Sequence, residues 1–297
     1  MAFKSGFVAI IGRTNVGKST LFNAILAEKL SIVSDKPQTT RNRILGVHTD
    51  RECQIVFIDT PGIHRDREKR VLNRFMNKAA LAAREDADII AIMIEAAASL
   101  HPLDEEIIRG LRGSKVPAIL VINKIDTVNK ADLLPLIDLA RGRHPFRAII
   151  PTSALRGDGV ADFTAEIKGL LPEGHPYFPE DTLTDQSERF LVGEIVREKV
   201  LGLMRQEIPY STAVMVERFT EDADRNLLSI SAVIYVEKES QKGIVIGKGG
   251  RLIKEIGTAA RRDIEAFFDT PVFLDLRVKV MKDWARGEDT IRRLGYR

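Results

Sequence analysis

The 297-residue chain has a single cysteine, Cys53, so no disulfide can form within it, and this fits a reducing compartment. It has no apolar run near the roughly 18 residues that cross a bilayer. Residues Met1–Gly6 lead straight into a strand-like segment, without the charged and then apolar pattern of a secretory signal, which reads as cytoplasmic. The five histidines (48, 64, 101, 144 and 175) lack the paired spacing of a zinc site. Charge of one sign is also scarce: 45 Lys and Arg stand against 42 Asp and Glu. The net +3 is too small to establish a nucleic-acid partner and does not oppose one. What remains is an ordinary globular composition, 44% hydrophobic, in a chain long enough for two domains.

The strongest positive feature is Gly12-Arg13-Thr14-Asn15-Val16-Gly17-Lys18-Ser19, which fits G-x-x-x-x-G-K-[ST]. The apolar stretch Phe7–Ile11 precedes it, and Thr20–Leu26 reads as the start of a helix. Glycines at these positions let backbone N–H groups converge on phosphate oxygens, and the helix adds its positive end. Lys18 would reach the β- and γ-phosphates, and the Ser19 hydroxyl would ligate Mg²⁺.

Further short apolar runs, Gln54–Ile58, Ile89–Ile94, Ala118–Ile122 and Ala148–Ile150, alternate with helix-like stretches such as Arg67–Arg84 and Leu103–Leu111. This predicts a mainly parallel sheet covered on both faces, with ligands at the carboxyl ends of its strands. The residues that follow each strand bear this out as chemistry. Asp59-Thr60-Pro61-Gly62 places a carboxylate for Mg²⁺ and a Gly62 N–H for a γ-phosphate, a segment that hydrolysis would release. In Asn123-Lys124-Ile125-Asp126, the Asp126 carboxylate can accept from the N1 and N2 groups of guanine, a pair that adenine lacks. Asn123 would hold the base edge, the Lys124 stem would cover its face, and Ser153 and Ala154 would support the base and its O6. In the loop Lys36–Arg41, either Thr39 or Thr40 could complete the Mg²⁺ shell.

Leu171–Asp181, rich in proline, reads as a stiff connector. Beyond it the texture changes. Arg189–Arg205 has helical spacing, and Ala213–Phe219 and Leu228–Val236 read as strands, the second alternating as if one face were solvated. Then Ile246-Gly247-Lys248-Gly249-Gly250-Arg251 carries G-x-x-G between an apolar strip and a helix that includes Lys254. Such a loop admits a nucleic-acid backbone and clamps about four nucleotides. Ile246, Ile253 and Ile256 would line the groove for bases. Between Lys238 and Arg262 there are seven Lys or Arg and two Asp or Glu, so positive charge gathers at the loop. The order helix, strand, strand, G-x-x-G, helix and strand (Val272–Val280) matches a bacterial-type KH domain, with the tail Asp283–Arg297 as a short basic closing helix.

These features resemble the translation-factor-related class of P-loop GTPases and, across essentially the whole chain, the Era GTPase family. The match includes Gln38-Thr39-Thr40-Arg41, Ser153-Ala154, Ile246–Gly250 and Glu194–Lys199 as well as the motifs above. The expected fold is α/β: a P-loop GTPase domain with a mostly parallel sheet over 5–171, a linker over 172–186, and a smaller α+β type II KH domain over 187–297. The resemblance favours Thr40 over Thr39 because of the neighbouring arginine. It assigns Gly12 to Thr20 with Asp59 and Gly62 to phosphates, and Ser19, Thr40 and Asp59 to Mg²⁺. It also makes Asn15 a K⁺ ligand. Where many GTPases carry a water-orienting glutamine, Ile63 follows Gly62, which implies slow intrinsic hydrolysis stimulated by a partner, RNA or a monovalent cation. No residue is named as a general base. The implied role is a switch that binds small-subunit ribosomal RNA near its 3′ end and assists 30S assembly. GTP–Mg²⁺ would order the loops and open the KH groove to RNA, and hydrolysis would reverse this. The family is also described as peripherally associated with the inner face of the cell membrane, and a monomer is expected. Two alternatives stay open: an RNA-binding module with a structural guanine nucleotide, and a sensor of a protein or membrane surface that uses the KH fold as scaffold.

Overall fold

The computed structural model describes residues 2–36, 38–64, 71–204 and 212–296. The expected helical residues 67–70 and Arg205, Pro37 of the threonine loop and the terminal Arg297 lie outside the described residues. The described residues fall into two compact units, one from residues 2–33, 40–64 and 76–185, the other from 34–36, 38–39, 71–75, 186–204 and 212–296.

The first unit is a six-stranded sheet in the order β2-β3-β1-β4-β5-β6. Its strands are β1 (Lys4–Ile11), β2 (Ile44–Thr49), β3 (Cys53–Asp59), β4 (Ile89–Glu95), β5 (Ala118–Asn123) and β6 (Ala148–Pro151). All pairings are parallel except the antiparallel edge pair β2–β3. Sequence patterning missed β2, where Gly46 interrupts the apolar run; the glycine is required, because a Cβ there would lie 2.3 Å from Leu26 Cδ1. The central strands are buried on both faces, as continuous apolar runs demand. Helices α1 (Lys18–Leu26), α2 (Val71–Glu85), α3 (Pro102–Arg109), α4 (Lys130–Arg141) and α5 (Val160–Leu170) complete the α/β pattern. Because β1 has β3 on one side and β4 on the other, the strand order reverses at β1, and in such sheets the ligand crevice lies at the carboxyl ends of the strands there.

The proline-rich connector is tied to this unit by Gln54, fully buried on β3. Gln54 Oε1 accepts from the N–H groups of Tyr177 (2.7 Å) and Phe178 (3.0 Å), and its Nε2 donates to the Phe178 carbonyl at 2.9 Å.

The second unit has a three-stranded sheet, β7 (Ala213–Asp222), β8 (Leu227–Val236) and β9 (Val272–Val280), in that order. The β7–β8 pair is antiparallel and the β8–β9 pair parallel. A parallel neighbour needs a crossover. It is supplied by α7 (Glu239–Ile246) and α8 (Arg251–Phe268), while α6 (Glu188–Leu203) precedes the sheet and α9 (Glu288–Arg293) follows it. Three expectations change here. The apolar strip Ile244–Ile246 is the last turn of α7, whose start is closed by Gln241 Oε1, which accepts the backbone N–H groups of Glu237 (2.9 Å) and Lys238 (3.0 Å). β8 alternates only as far as Ser231; from Ala232 to Val236 every residue is buried, so that end of the sheet is covered on both faces. Ile256 does not line a groove: with Ala260 and Ile264 it forms the buried stripe of α8, four residues apart on one helical face.

The segment 34–39 belongs to this second unit. Arg197 of α6, 1% exposed, is clamped by Glu194 through Nε–Oε1 (2.7 Å) and Nη2–Oε2 (2.6 Å), and it also donates to the Thr39 carbonyl. Lys36 donates to the carbonyls of Leu201 and Met204, which helix termination leaves without intrahelical partners.

Gln54→Leu keeps the volume and removes the three hydrogen bonds that this side chain makes to the connector's backbone at Tyr177 and Phe178. We expect it to lower the stability of the first unit by about 3 kcal/mol, read as a shifted midpoint in urea; an unshifted midpoint would show that the connector is held by other contacts.

Candidate guanine-nucleotide and RNA sites

The Gly12–Ser19 loop joins β1 to α1 at the crevice. Gly17 adopts φ 99° at the helix N-cap, so the first N–H groups of α1 point into the loop. Lys18 is 6% exposed, and its Nζ donates to the carbonyls of Gly12 (3.3 Å) and Arg13 (3.0 Å), folding the lysine over the loop. Burial, partly offset by the Asp59 charge, pushes its pKa down to about 8. A bound phosphate would supply the missing counter-charge. Asn15 is exposed at the tip with φ 62°, Thr14 is half-buried, and Val16 is fully buried. The Arg13 side chain turns away to two carboxylates, Glu95 and Asp104.

Asp59 ends β3 fully buried. Its Oδ2 accepts from Ser19 Oγ and Ser31 Oγ, each at 2.7 Å, and Ser19 Oγ lies 2.8 Å from Thr40 Oγ1. The other oxygen, Oδ1, is buried without a partner among the described residues. Burial raises the Asp59 pKa against the pull of Lys18 and the two serines. Two hydroxyls and a buried carboxylate with one oxygen unpartnered among the described residues form an all-oxygen donor set that suits a hard divalent cation such as Mg²⁺. Thr39 points elsewhere, its Oγ1 donating to the Lys36 carbonyl at 2.6 Å. Gly62 packs so tightly on the phosphate loop that a Cβ there would lie 2.6 Å from Thr14 Cα. The next N–H, of Ile63, donates to the Gly12 carbonyl at 3.0 Å, and the Ile63 side chain joins the apolar cleft between α2 and α3 with Leu81, Leu103 and Ile107.

At the end of β5, the Asn123 amide bridges loops. Its Nδ2 donates to the Val16 carbonyl at 2.8 Å and its Oδ1 accepts the Ala154 N–H at 2.9 Å. Both ends therefore hold protein, where the sequence suggested that Asn123 and Ala154 face the base. Lys124 takes φ 66° and its Nζ donates to Glu95 Oε1 at 2.9 Å. Ser153 Oγ donates to Asp126 Oδ1 at 2.6 Å and holds that carboxylate below its usual pKa range, so it is an acceptor at neutral pH. Sequence reasoning missed Ser31, Glu95 and Asp104, which support the motif residues from outside the motifs.

In the second unit, Gly247–Gly250 lies between α7 and α8. Gly249 and Gly250 have φ of 61° and 76° with open space around their Cα atoms, leaving room for another backbone to approach. Lys248, Arg251 and Lys254 are exposed, and Ile246 is half-buried. An open cleft on α8 is lined by Arg251, Lys254, Thr258 and Arg262, with Glu255 as its acid. β9 is an edge strand and packs against α7 and α8; it exposes Phe273 by 61%, an aromatic that the sequence reading did not single out.

Two substitutions test this geometry. Asp126→Asn replaces an acceptor by a group that also donates. It should weaken guanine-nucleotide binding at least about 100-fold while improving binding of the xanthine nucleotide, whose C2 carbonyl accepts; equal loss for both bases would remove Asp126 from base recognition. Gly62→Ala should displace its loop from Thr14 and cut affinity for a non-hydrolysable GTP analogue about tenfold while leaving GDP within about twofold, as read by calorimetry.

Comparison with known proteins bears on the family and the fold. Residues 7–124 match the model described as "50S ribosome-binding GTPase", and residues 207–285 match the KH domain model. GTPase Era of Syntrophus aciditrophicus is 53% identical over 99% of this chain and 95% of its own. GTPase Era of Geotalea uraniireducens is 52% identical over 99% and 98%. A crystal structure of Era in complex with MgGDPNP and nucleotides 1506–1542 of 16S ribosomal RNA is 44% identical, covers 99% of both chains, and superposes with a TM-score of 0.95. A variant of Aquifex aeolicus Era bound to GDP·AlF4⁻ gives the same identity of 44%, coverage of 99% and TM-score of 0.95. Shared identity over nearly the full length, with a P-loop GTPase unit followed by a KH unit, places this chain in the Era family of GTPases.

Proposed function

We propose that the chain is a GTP-hydrolysing switch that binds single-stranded RNA near the 3′ end of small-subunit ribosomal RNA and assists 30S assembly in the cytoplasm. The relative solved with MgGDPNP and 16S nucleotides, alike over 99% of both chains, supports the pairing of these two ligands. Gly12–Thr20 and Gly62 receive the phosphates. Asp126, aimed by Ser153, selects guanine, and Lys124 covers the base, while Asn123 and Ala154 brace the pocket. Gly247–Gly250 with Ile246, Lys248, Arg251 and Lys254 receives RNA.

The observation that carries the switch is the different holding of two consecutive residues. Thr40 Oγ1 lies 2.8 Å from Ser19 Oγ at the cation site, and the carbonyl of Thr39 accepts from Arg197 on α6 of the RNA-binding unit. A change in what holds Thr40 therefore reaches Arg197 through one peptide bond. Ser19, Thr40 and Asp59 would hold Mg²⁺, which when bound neutralises phosphate charge. Lys18 binds the phosphates and Gly62 senses the terminal one. With Ile63 seated in an apolar cleft, no side chain at that position orients water, which supports slow intrinsic hydrolysis and acceleration by a partner.

The test is affinity for a short single strand from the 16S 3′ end, measured at fixed salt with GDP and with a non-hydrolysable GTP analogue. A difference of about tenfold or more that disappears in Lys18→Ala is expected, since coupling free energies commonly have that size. Lys248→Glu should weaken RNA binding about tenfold in either state and flatten its salt dependence. Equal affinity in both nucleotide states would leave the other reading, an RNA-binding module with a structural guanine nucleotide.

A further inference from the structure

Arg13 in the phosphate loop and Lys124 in the guanine loop lie in separate motifs, yet their side chains end on one carboxylate. Glu95, the last residue of β4, accepts from Arg13 Nη2 through Oε2 and from Lys124 Nζ through Oε1, both at 2.9 Å. Its backbone is fixed as firmly. Glu95 pairs with Asn123 in the β4–β5 register, and the Ala96 N–H donates to the Asn123 carbonyl at 2.8 Å. Asp104, 2% exposed in the first turn of α3, takes Arg13 Nε at 3.2 Å and completes the fork around the guanidinium. Arg13 is thus held by two carboxylates while its carbonyl receives Lys18 Nζ at 3.0 Å. Burial alone would raise the Glu95 pKa; the bonds and charges of Lys124 and Arg13 outweigh it and hold the carboxyl below its ordinary range.

We propose that Glu95 is a positioning residue for nucleotide binding: its carboxylate fixes Arg13 and Lys124 together, holding the phosphate loop and the guanine loop at the separation that one nucleotide spans. The inference rests on the guanine-nucleotide site described above. Isolated surface ion pairs contribute little to stability. This one differs because both oxygens are engaged, all three side chains are at most 34% exposed, and two loops that must act on one ligand share the hub. Pre-organisation of that kind acts on ligand residence rather than on folding. Without Glu95, Lys124 loses its acceptor and the stem meant to cover the base is released, while Arg13 keeps only Asp104.

The experiment is stopped-flow release of fluorescent GDP and of a fluorescent non-hydrolysable GTP analogue from the full chain. It compares Glu95→Ala, Glu95→Gln, Arg13→Ala, Lys124→Ala and the doubles that combine Glu95→Ala with each of the last two. Glu95→Ala should speed release of both nucleotides about tenfold or more, with Glu95→Gln between it and the parent. Each double should release nucleotide more slowly than the product of its two single effects, because Arg13 and Lys124 each act partly through Glu95. The melting temperature of nucleotide-free Glu95→Gln should stay that of the parent, which separates positioning from a merely structural role and serves if Glu95→Ala fails to fold. Release within twofold of the parent, doubles whose effects multiply, or faster release only in step with a lower melting temperature would overturn the proposal. A parent chain that fails to prefer guanine over adenine nucleotides would instead remove the site on which it rests.

Discussion

Asp59 is the constraint on which the nucleotide site depends. A carboxylate taken wholly out of water must be compensated by hydrogen bonds or opposite charge. Ser19 and Ser31 satisfy one oxygen, and the other is buried without a partner among the described residues. The compensation draws in Ser19 from the phosphate loop and, through it, Thr40 from the following loop. Ser31 is itself held by Asn23, whose Nδ2 donates to the Ser31 carbonyl at 2.7 Å and whose Oδ1 accepts the Ser31 N–H at 3.0 Å. Four separate segments therefore meet around one charge. A divalent cation beside the free oxygen would resolve the frustration that the fold leaves there, which ties catalytic competence to the same charge that organises the loops.

A second layer of the site works by bracing. Asn123 joins the phosphate loop to the loop after β6, and Ser153 aims Asp126 through its hydrogen bond to Oδ1. Some of the residues named by motif have their polar groups committed to protein, and others stay open. Asn123 is 3% exposed, with its amide committed to protein, whereas Lys124 and Asp126 remain open enough to meet a base. In the RNA-binding unit the division is simpler: the Ile256–Ala260–Ile264 stripe holds α8 on the sheet, and Arg251 and Lys254 extend from its free side.

Local patterns of short range were legible in the chain. The phosphate loop, the strands that precede each chemical motif, the proline-rich connector and the G-x-x-G loop all depend on nearest-neighbour chemistry, on glycine dihedrals and on apolar runs. Strand β2 was not legible, since its Gly46 weakens any strand signal and is required by Leu26 and Phe22, both distant in sequence. Nor was the helical state of Ile244–Ile246, because three apolar residues before a glycine fit a strand as well as a last helical turn. Ile253 and Ile256 looked alike, and packing put one on the half-buried flank and the other in the core.

The sequence by itself determined the P-loop GTPase and KH architectures and which residue types would meet phosphate, guanine and a nucleic-acid backbone, because those depend on chemistry carried within a few consecutive positions. Only the tertiary structure decided that Thr40 faces Ser19 while Thr39 turns to Lys36, that Glu95 receives both Arg13 and Lys124, and that Arg197 reaches the Thr39 carbonyl. Apart from the local Thr39–Lys36 bond, those are contacts between residues about twenty positions or more apart, chosen by which polar atoms need partners once the chain has closed around them, and no local pattern encodes that choice.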